Sequence, residues 1–418
     1  MKPAPAEIRM SPQAPAVANT LATFIRWLDG YGETSWDHQS YFAGPIGGRA
    51  KGLYYRRPLL GLAAVAPMIF SEAFLPSARR LFHRRTRFPI ADAHYAMGFA
   101  FLHEATGEPA HLQRAVHFLE ELKRSRSPGF DEYCWGYPFD WVTRNGVLAS
   151  HTPFITTLPY VYEAFLQVHR IEPRDEWQAV LASIARHAFS AIKDFPTSAT
   201  AASCGYGPYD NKGGVLNAAA YRSFLLTSAA QVLGVAAYRE TADRNLQFVL
   251  DQQNPDGSWY YAMDGVRDFV DHFHTCFVMK ALAKVHTLTG HAGTLAALQR
   301  GADYYVRNLF AADGLPKPFS KAPRLTVYRH ELYDCAECIN LCLLLRGRIP
   351  LLQSTLDTMV AGILKDWVRP AGSFRTRRLY LGWDDVPMHR WGQSQMFRSL
   401  AFFLRETVAG SQTPPPTR

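Results

Sequence analysis

Long hydrophobic runs are scarce in this 418-residue chain. The most apolar stretch, "PLLGLAAVAPMIF" (58–70), contains a proline and falls short of the roughly 20 apolar residues a bilayer span needs. It reads as a buried helix; the "YYRR" before it leaves open a second reading, a segment resting on a membrane surface. The opening segment "MKPAPAEIRMSPQAPAVANT" has no apolar core of the kind a secretory leader carries, so none is expected. Cysteine is sparse, six in all, and no second ligand pair is spaced to complete a zinc site around the C-x-x-C of "CAECINLC". Cys335, Cys338 and Cys342 fall at i, i+3 and i+7 along one helical stripe, which packing explains. No metal or cofactor is called for. A reduced, cytoplasmic setting is the expectation, with the inner face of the membrane as the place for any peripheral contact. Motifs for nucleic-acid binding are also missing, although the net charge is +9. That excess is diffuse apart from "RRLFHRRTR" (79–87), and it suits an anionic glycan or membrane surface better than nucleic acid.

Hydrophobic residues make up 48% of the chain and aromatics 13%, enough to bury a large core and too much for a disordered chain. Strand-like runs are few. Amphipathic segments begin near residues 93, 154, 216, 274, 333 and 390, roughly 57 to 62 residues apart, and such regular spacing marks a repeat architecture. Each of the first five is followed, after a short turn, by a second helix with a more polar face: 111–124, 176–192, 238–253, 294–310 and 351–368. The sixth has no follower, while helix 16–28 stands unpaired near the other end. An all-α (α/α)6 toroid satisfies both ends, with apolar inner helices, amphipathic outer helices and helix 16–28 closing the ring. An open solenoid would leave two unpaired helices. The expected organisation is a disordered tail at 1–15, a single toroid at 16–405 with 29–92 inserted before the first inner helix, and a disordered tail at 406–418.

Connections from outer to inner helices (125–153, 194–215, 254–271, 311–332 and 369–389) are long, and all must emerge on one rim. Long connections inside a compact domain are usually functional. They share a composition: "CWGYPFDW", "CGYGPYDNKGG", "DGSWYYAMDGVRDFVDHFHT", "VYRHELYD" and "SFRTRRLYLGWDDVPMHRWGQ". Trp and Tyr faces pack on the apolar faces of sugars, while Asp, Asn and Arg bind hydroxyls or carboxylates. Trp135, Tyr137, Trp141, Asn211, Trp259, Tyr261, Asp264, Arg375, Trp383, Asp384 and Trp391 are therefore the candidate binding residues.

The candidate catalytic residues are Asp271, Asp140, Asp210, His272, His274 and Tyr260. Asp271 also fits an N-cap, its carboxylate accepting free N–H groups of the helix that follows. His272 and His274, at i and i+2, cannot share a helical face, so at most one is expected to point into the cavity. Asp140 lies among aromatics, where burial would raise its pKa toward general-acid use. Trp135, Trp141 and Trp259 have an equal claim as core residues, and Asp384 in "GWDD" also fits a solvated turn.

The elements "CWGYPFDW", "TPFITTLPYVYEAFL", "NPDGSWYYAMD", "DHFHTCFVMKAL" and "HRWGQSQMFRSLAFFL" resemble a bacterial family of α/α-toroid proteins commonly encoded with exopolysaccharide or cell-surface glycan biosynthesis genes. The fold this implies is similar to the six-hairpin glycosidases and to the terpenoid cyclase and protein prenyltransferase toroids. "QQNPDGSW" (252–259) is similar to the Gln–Trp repeat of terpenoid cyclases, but the Asp-x-Asp-Asp acid motif and the prenyltransferase zinc set are missing. The resemblance implies the fold and this biological setting; taken with the composition of the rim loops, the expectation is a carbohydrate-active enzyme acting on a polysaccharide or its lipid-linked precursor. Hydrolysis would need two carboxylates about 5 to 9.5 Å apart. Lyase or epimerase chemistry would need His or Tyr to move a proton. The residues leave both open, along with a lipid-modifying toroid and a non-catalytic glycan-binding subunit.

Overall fold

Proline and glycine divide the chain into helical hairpins. The computed structural model describes residues 11–144 and 146–412. Its first helices are α1 (Ala14–Tyr31), α2 (Ser40–Ala43), α3 (Pro45–Arg56) and α4 (Pro58–Phe74). They are followed by α5 (Pro89–Thr106), α6 (Pro109–Arg124), α7 (Leu158–Ile171), α8 (Asp175–Arg186), α9 (Leu216–Leu233) and α10 (Ala236–Asp251). The last are α11 (His272–Thr289), α12 (Ala292–Asn308), α13 (Leu332–Leu344), α14 (Gln353–Gly362) and α15 (Ser394–Gln412). Pro89 and Pro109 open α5 and α6 at the first turn, where a missing N–H leaves no bond unmade. Gly107 and Gly290 end α5 and α11 in the left-handed conformation, with φ of 74° and 67°, which makes the hairpin turns tight.

Helices α5, α7, α9, α11, α13 and α15 pack in sequence, and α15 returns to α5. The intervening helices lie outside this ring, and α1 takes the sixth outer place against α15. Phe24 of α1 stacks between Phe374 and Phe397, with ring centroids 5.2 Å apart on both sides. This is the all-α (α/α)6 toroid that the repeat implies. Helix boundaries differ from the sequence reading by a few residues. Residues 406–412, assigned to a tail by sequence, are helical in α15, and α1 begins at Ala14. Residues 1–10 and 413–418 of the expected tails lie outside the described residues.

The expectation of apolar inner helices needs correction. Lys280 of α11 pairs with Glu337 of α13, both buried, and Lys284 of α11 pairs with Glu163 of α7 at 2.5 Å. The Tyr160 and Tyr221 hydroxyls meet at 2.5 Å. Polar side chains long enough to meet inside the ring bridge its inner helices, and they are tolerated there because they are paired. The three α13 cysteines are buried and form no disulfide.

Short antiparallel ribbons shape the rim loops, two of them within a single loop and the others between loops. They are β1 (Trp141–Thr143) with β2 (Gly146–Leu148), and β3 (Asp194–Pro196) with β4 (Ala202–Cys204). β5 (Val270–Asp271) pairs with β6 (Phe319–Lys321), joining the third loop to the fourth. β7 (Tyr328–Glu331), β8 (Arg377–Leu379) and β9 (Trp383–Asp384) join the fourth to the fifth.

Candidate functional site

Asp271 leaves β5 in an extended conformation and caps α11. Its Oδ1 accepts the His274 N–H at 3.0 Å, and its Oδ2 lies 2.6 Å from His274 Nδ1. The carboxylate is 2% exposed and the imidazole 20%. A buried acceptor beside Nδ1 selects the tautomer with its proton there, which makes Nε2 the basic nitrogen. Nε2 forms no hydrogen bond among the described residues. His272 faces the other way. It is fully buried, with Nε2 2.8 Å from the Tyr305 hydroxyl, and burial pushes its pKa down to about 3.

Aromatic rings surround His274. Tyr261 meets its imidazole edge-on at 4.6 Å, stacks on Phe269 at 4.9 Å, and pairs its hydroxyl with that of Tyr206. Burial pushes the Tyr261 phenol up to about 12, so it is a neutral hydrogen-bond donor at physiological pH. On the other side Phe273 touches Tyr333, and Tyr333 stacks on Trp391 at 5.7 Å with ring planes 7° apart. Trp391 reaches this position because the helix expected from Arg390 is broken: Trp391 itself is non-helical (φ −129°, ψ 56°), and regular α-helix resumes at Ser394. Arg390 stands 4.4 Å over the Tyr137 ring and is held by both Asp37 oxygens, at 2.8 and 2.5 Å. Tyr137 in turn contacts Trp141 and Phe154. The result is an aromatic cluster with one oriented histidine at its edge.

Several predicted residues sit elsewhere. Asp140 is exposed, and its Oδ1 accepts the Ser150 N–H, so it is not buried among the aromatics as expected. Asp210 accepts three backbone N–H groups, from Tyr206, Lys212 and Gly213, and serves its own loop. Asn211 is taken by Lys193 at 2.7 Å. Asp264 holds a turn through Val266, Arg267 and the Arg267 guanidinium; its slight burial is outweighed by these bonds, which bring its carboxyl down to about 2. Tyr260 is exposed beneath Lys321, whereas its neighbour Tyr261 is the one beside His274. Trp135 and Trp259 are core residues whose indole N–H groups bond to the Leu122 and Val249 carbonyls. Trp383 packs on Trp367, and Asp384 is wholly buried against Arg79 at 2.8 Å. Arg375 is paired with Asp385 at 3.1 Å, Arg377 is buried between Glu331 and Glu72, and Arg378 lies 3.7 Å from Asp313. None of these three arginines offers an unpaired charge to an anionic ligand.

Sequence reasoning passed over Asp37, His38, Tyr206, Glu331, Tyr333 and Arg390. His38 contacts Trp391 and lies 2.8 Å from Glu331. Burial would raise the Glu331 carboxyl, but Arg377 and His38 bring it down to about 2. The signal was available in "SWDHQS" (35–40), which has the composition of the rim loops but lies in the region set aside as an insertion. Two shallow grooves on the outer wall, of about 540 and 510 Å³, are lined by α8 and its neighbours and contain none of the residues around His274.

The sequence matches no known family profile and no curated protein. Solved structures do resemble it. Cellobiose 2-epimerase from Bacillus thermoamylovorans B4167 superposes with a TM-score of 0.60 at 9% identity, over 77% of this chain and 88% of that one. A polysaccharide lyase gives 0.57 at 11% identity, over 94% and 98%. The unsaturated glucuronyl hydrolase of Bacillus sp. GL1 gives 0.58 at 14% identity, over 92% and 95%. At these identities the likeness establishes a shared toroidal fold.

Proposed function

We propose that this protein is a carbohydrate-active enzyme that moves a proton on a neutral glycan, with His274 as the acid–base group. The observation that carries the reading is the buried Asp271 carboxylate on His274 Nδ1, which leaves Nε2 as a base beside an aromatic cluster. Epimerisation fits this equipment. His274 would take the proton from the carbon next to the open-chain carbonyl. The Tyr261 hydroxyl, kept protonated by burial, would donate to the oxygen that gains charge, and the proton would return on the opposite face.

Hydrolysis is less well supported, because Asp140, Asp210 and Asp264 are occupied by their own loops and Asp384 by Arg79. A uronate substrate is less well supported because the nearby arginines are paired. The structural neighbours include an epimerase, a lyase and glycoside hydrolases, which supports the general class. The resemblance to proteins encoded with exopolysaccharide genes supplies the proposed setting, a surface polysaccharide or its lipid-linked precursor.

The test is incubation with cellobiose and other neutral reducing disaccharides in D2O. The expected result is deuterium at the carbon beside the carbonyl, accompanied by the epimer, and no dependence of binding on salt. New reducing ends without exchange would instead make the protein a hydrolase. A 4,5-unsaturated product from an acidic glycan would make it a lyase. Glycan binding with neither exchange nor cleavage would leave a binding subunit.

A further inference from the structure

Helices α3 and α4 form a hairpin whose apolar surface faces outward. They cross so closely at Gly61 that a Cβ there would lie 2.0 Å from Tyr54 Cα. Side chains on the far side of α4 are therefore left uncovered: Leu59, Leu60, Leu62, Ile69, Phe70 and Phe74 are all exposed, Leu59 to 88%. At 100° per residue those on α4 cover about half the helix circumference, forming a convex ridge and not a groove. The sequence from Pro45 to Ser71 has four basic residues, Arg49, Lys51, Arg56 and Arg57, and no acidic one. The three arginines are exposed, and none pairs with a carboxylate among the described residues. The hairpin is fixed to the toroid. Glu72 bonds to Arg377 at 2.6 Å, Arg79 bonds to Asp384 at 2.8 Å, and α3 packs on β1 of the first rim loop. The ridge thus stands on the rim that carries His274.

We infer that this ridge docks the protein onto the surface of a bilayer containing anionic lipid. A fluid acyl layer moulds around a convex apolar ridge, and the flanking arginines meet the headgroups. A second copy fits poorly, since across a two-fold contact through the ridge residues 45–71 offer no carboxylate to meet these arginines. No helix among the described residues is long and apolar enough to cross a membrane, so the contact is one of lying on the surface. The inference stands whatever the chemistry at His274.

Flotation of the full chain with vesicles tests it. The protein should rise with vesicles of phosphatidylcholine containing about a third phosphatidylglycerol, and far less with phosphatidylcholine alone. Leu59→Ser combined with Phe70→Ser should weaken binding at least about tenfold. Arg56→Gln combined with Arg57→Gln should weaken it on the order of tenfold, and only on the anionic vesicles. All four side chains are exposed, so the thermal melt should not change. Wild-type protein remaining unbound to both vesicles would overturn the inference, as would variants that float like wild type. So would a wild-type dimer that Leu59→Ser with Phe70→Ser converts to monomer, because a second copy would then cover the ridge.

Discussion

The two oxygens of Asp271 face different partners, the His274 N–H and the His274 ring, so one substitution can separate capping from proton transfer. Asp271→Asn keeps an oxygen for the cap but turns an NH2 toward Nδ1. The imidazole must then carry its proton on Nε2 and cannot act as the base. Turnover in the deuterium-exchange assay should fall at least about a hundredfold. Stability should fall by no more than about 1 kcal/mol, the scale of an altered cap. His274→Gln should cost a similar factor, and the double substitution little more, because the two residues act as one unit. Unchanged exchange in Asp271→Asn would make the residue a cap alone. The sequence shows the cap and the opposed histidines because both follow from spacing along one helix. It does not distinguish Asp140, Asp210 and Asp264 from catalytic groups, since a loop aspartate that holds its own turn has the same neighbours in sequence as one that meets a substrate. Arg390 on Asp37 is less visible still, because the partners come from opposite ends of the chain.

At the scale of helices, period and punctuation reveal the hairpins, but not which polar residues meet inside the ring. Lys280 and Glu337 each look like a stray charge on an apolar helix, and only the packing of α11 beside α13 makes them partners. Lys280→Met should therefore destabilise the protein by about 3 to 5 kcal/mol in urea titration, because Glu337 is left charged and unpaired. Adding Glu337→Leu should recover most of that loss. If the single substitution proves nearly neutral, the pair does not bridge these helices in solution. Trp391 shows the reverse limit. Continuous periodicity predicts a helix through it, yet the backbone breaks there and turns the ring onto Tyr333.

Ring closure belongs to the whole molecule. The unpaired helix near each end makes it legible in sequence, but the chemistry of the seam is not. His389 sits there, fully buried. Its Nε2 lies 2.9 Å from the Gly32 carbonyl just beyond α1, and its Nδ1 lies 2.6 Å from the Tyr95 hydroxyl on α5. One nitrogen donates and the other accepts, so the neutral ring is fully satisfied. Burial, only partly offset by the Gly32 carbonyl, brings its pKa down to about 4. In the unfolded chain the same group titrates near 6.5. Between those values the unfolded state takes up a proton that the folded state refuses, so this contribution is complete above pH 6.5 and is lost as pH falls toward 4. His389→Gln removes that dependence while retaining one donor and one acceptor. The variant should be less stable than wild type at pH 7 by about 1 to 2 kcal/mol, for the poorer fit of its hydrogen bonds. By pH 4.5 the wild type should have lost about 2.5 kcal/mol more than the variant, closing the gap or reversing its sign, because only the wild type carries this histidine. Groups shifted the other way, such as Asp92, which burial raises to about 7 despite Arg87, titrate in both proteins and cancel in the difference. Denaturant titrations of the pair across this range provide the measurement. A stability gap that stays constant from pH 7 to pH 4.5 would mean that His389 is not held neutral, and that the seam between α1 and α15 opens enough to admit water.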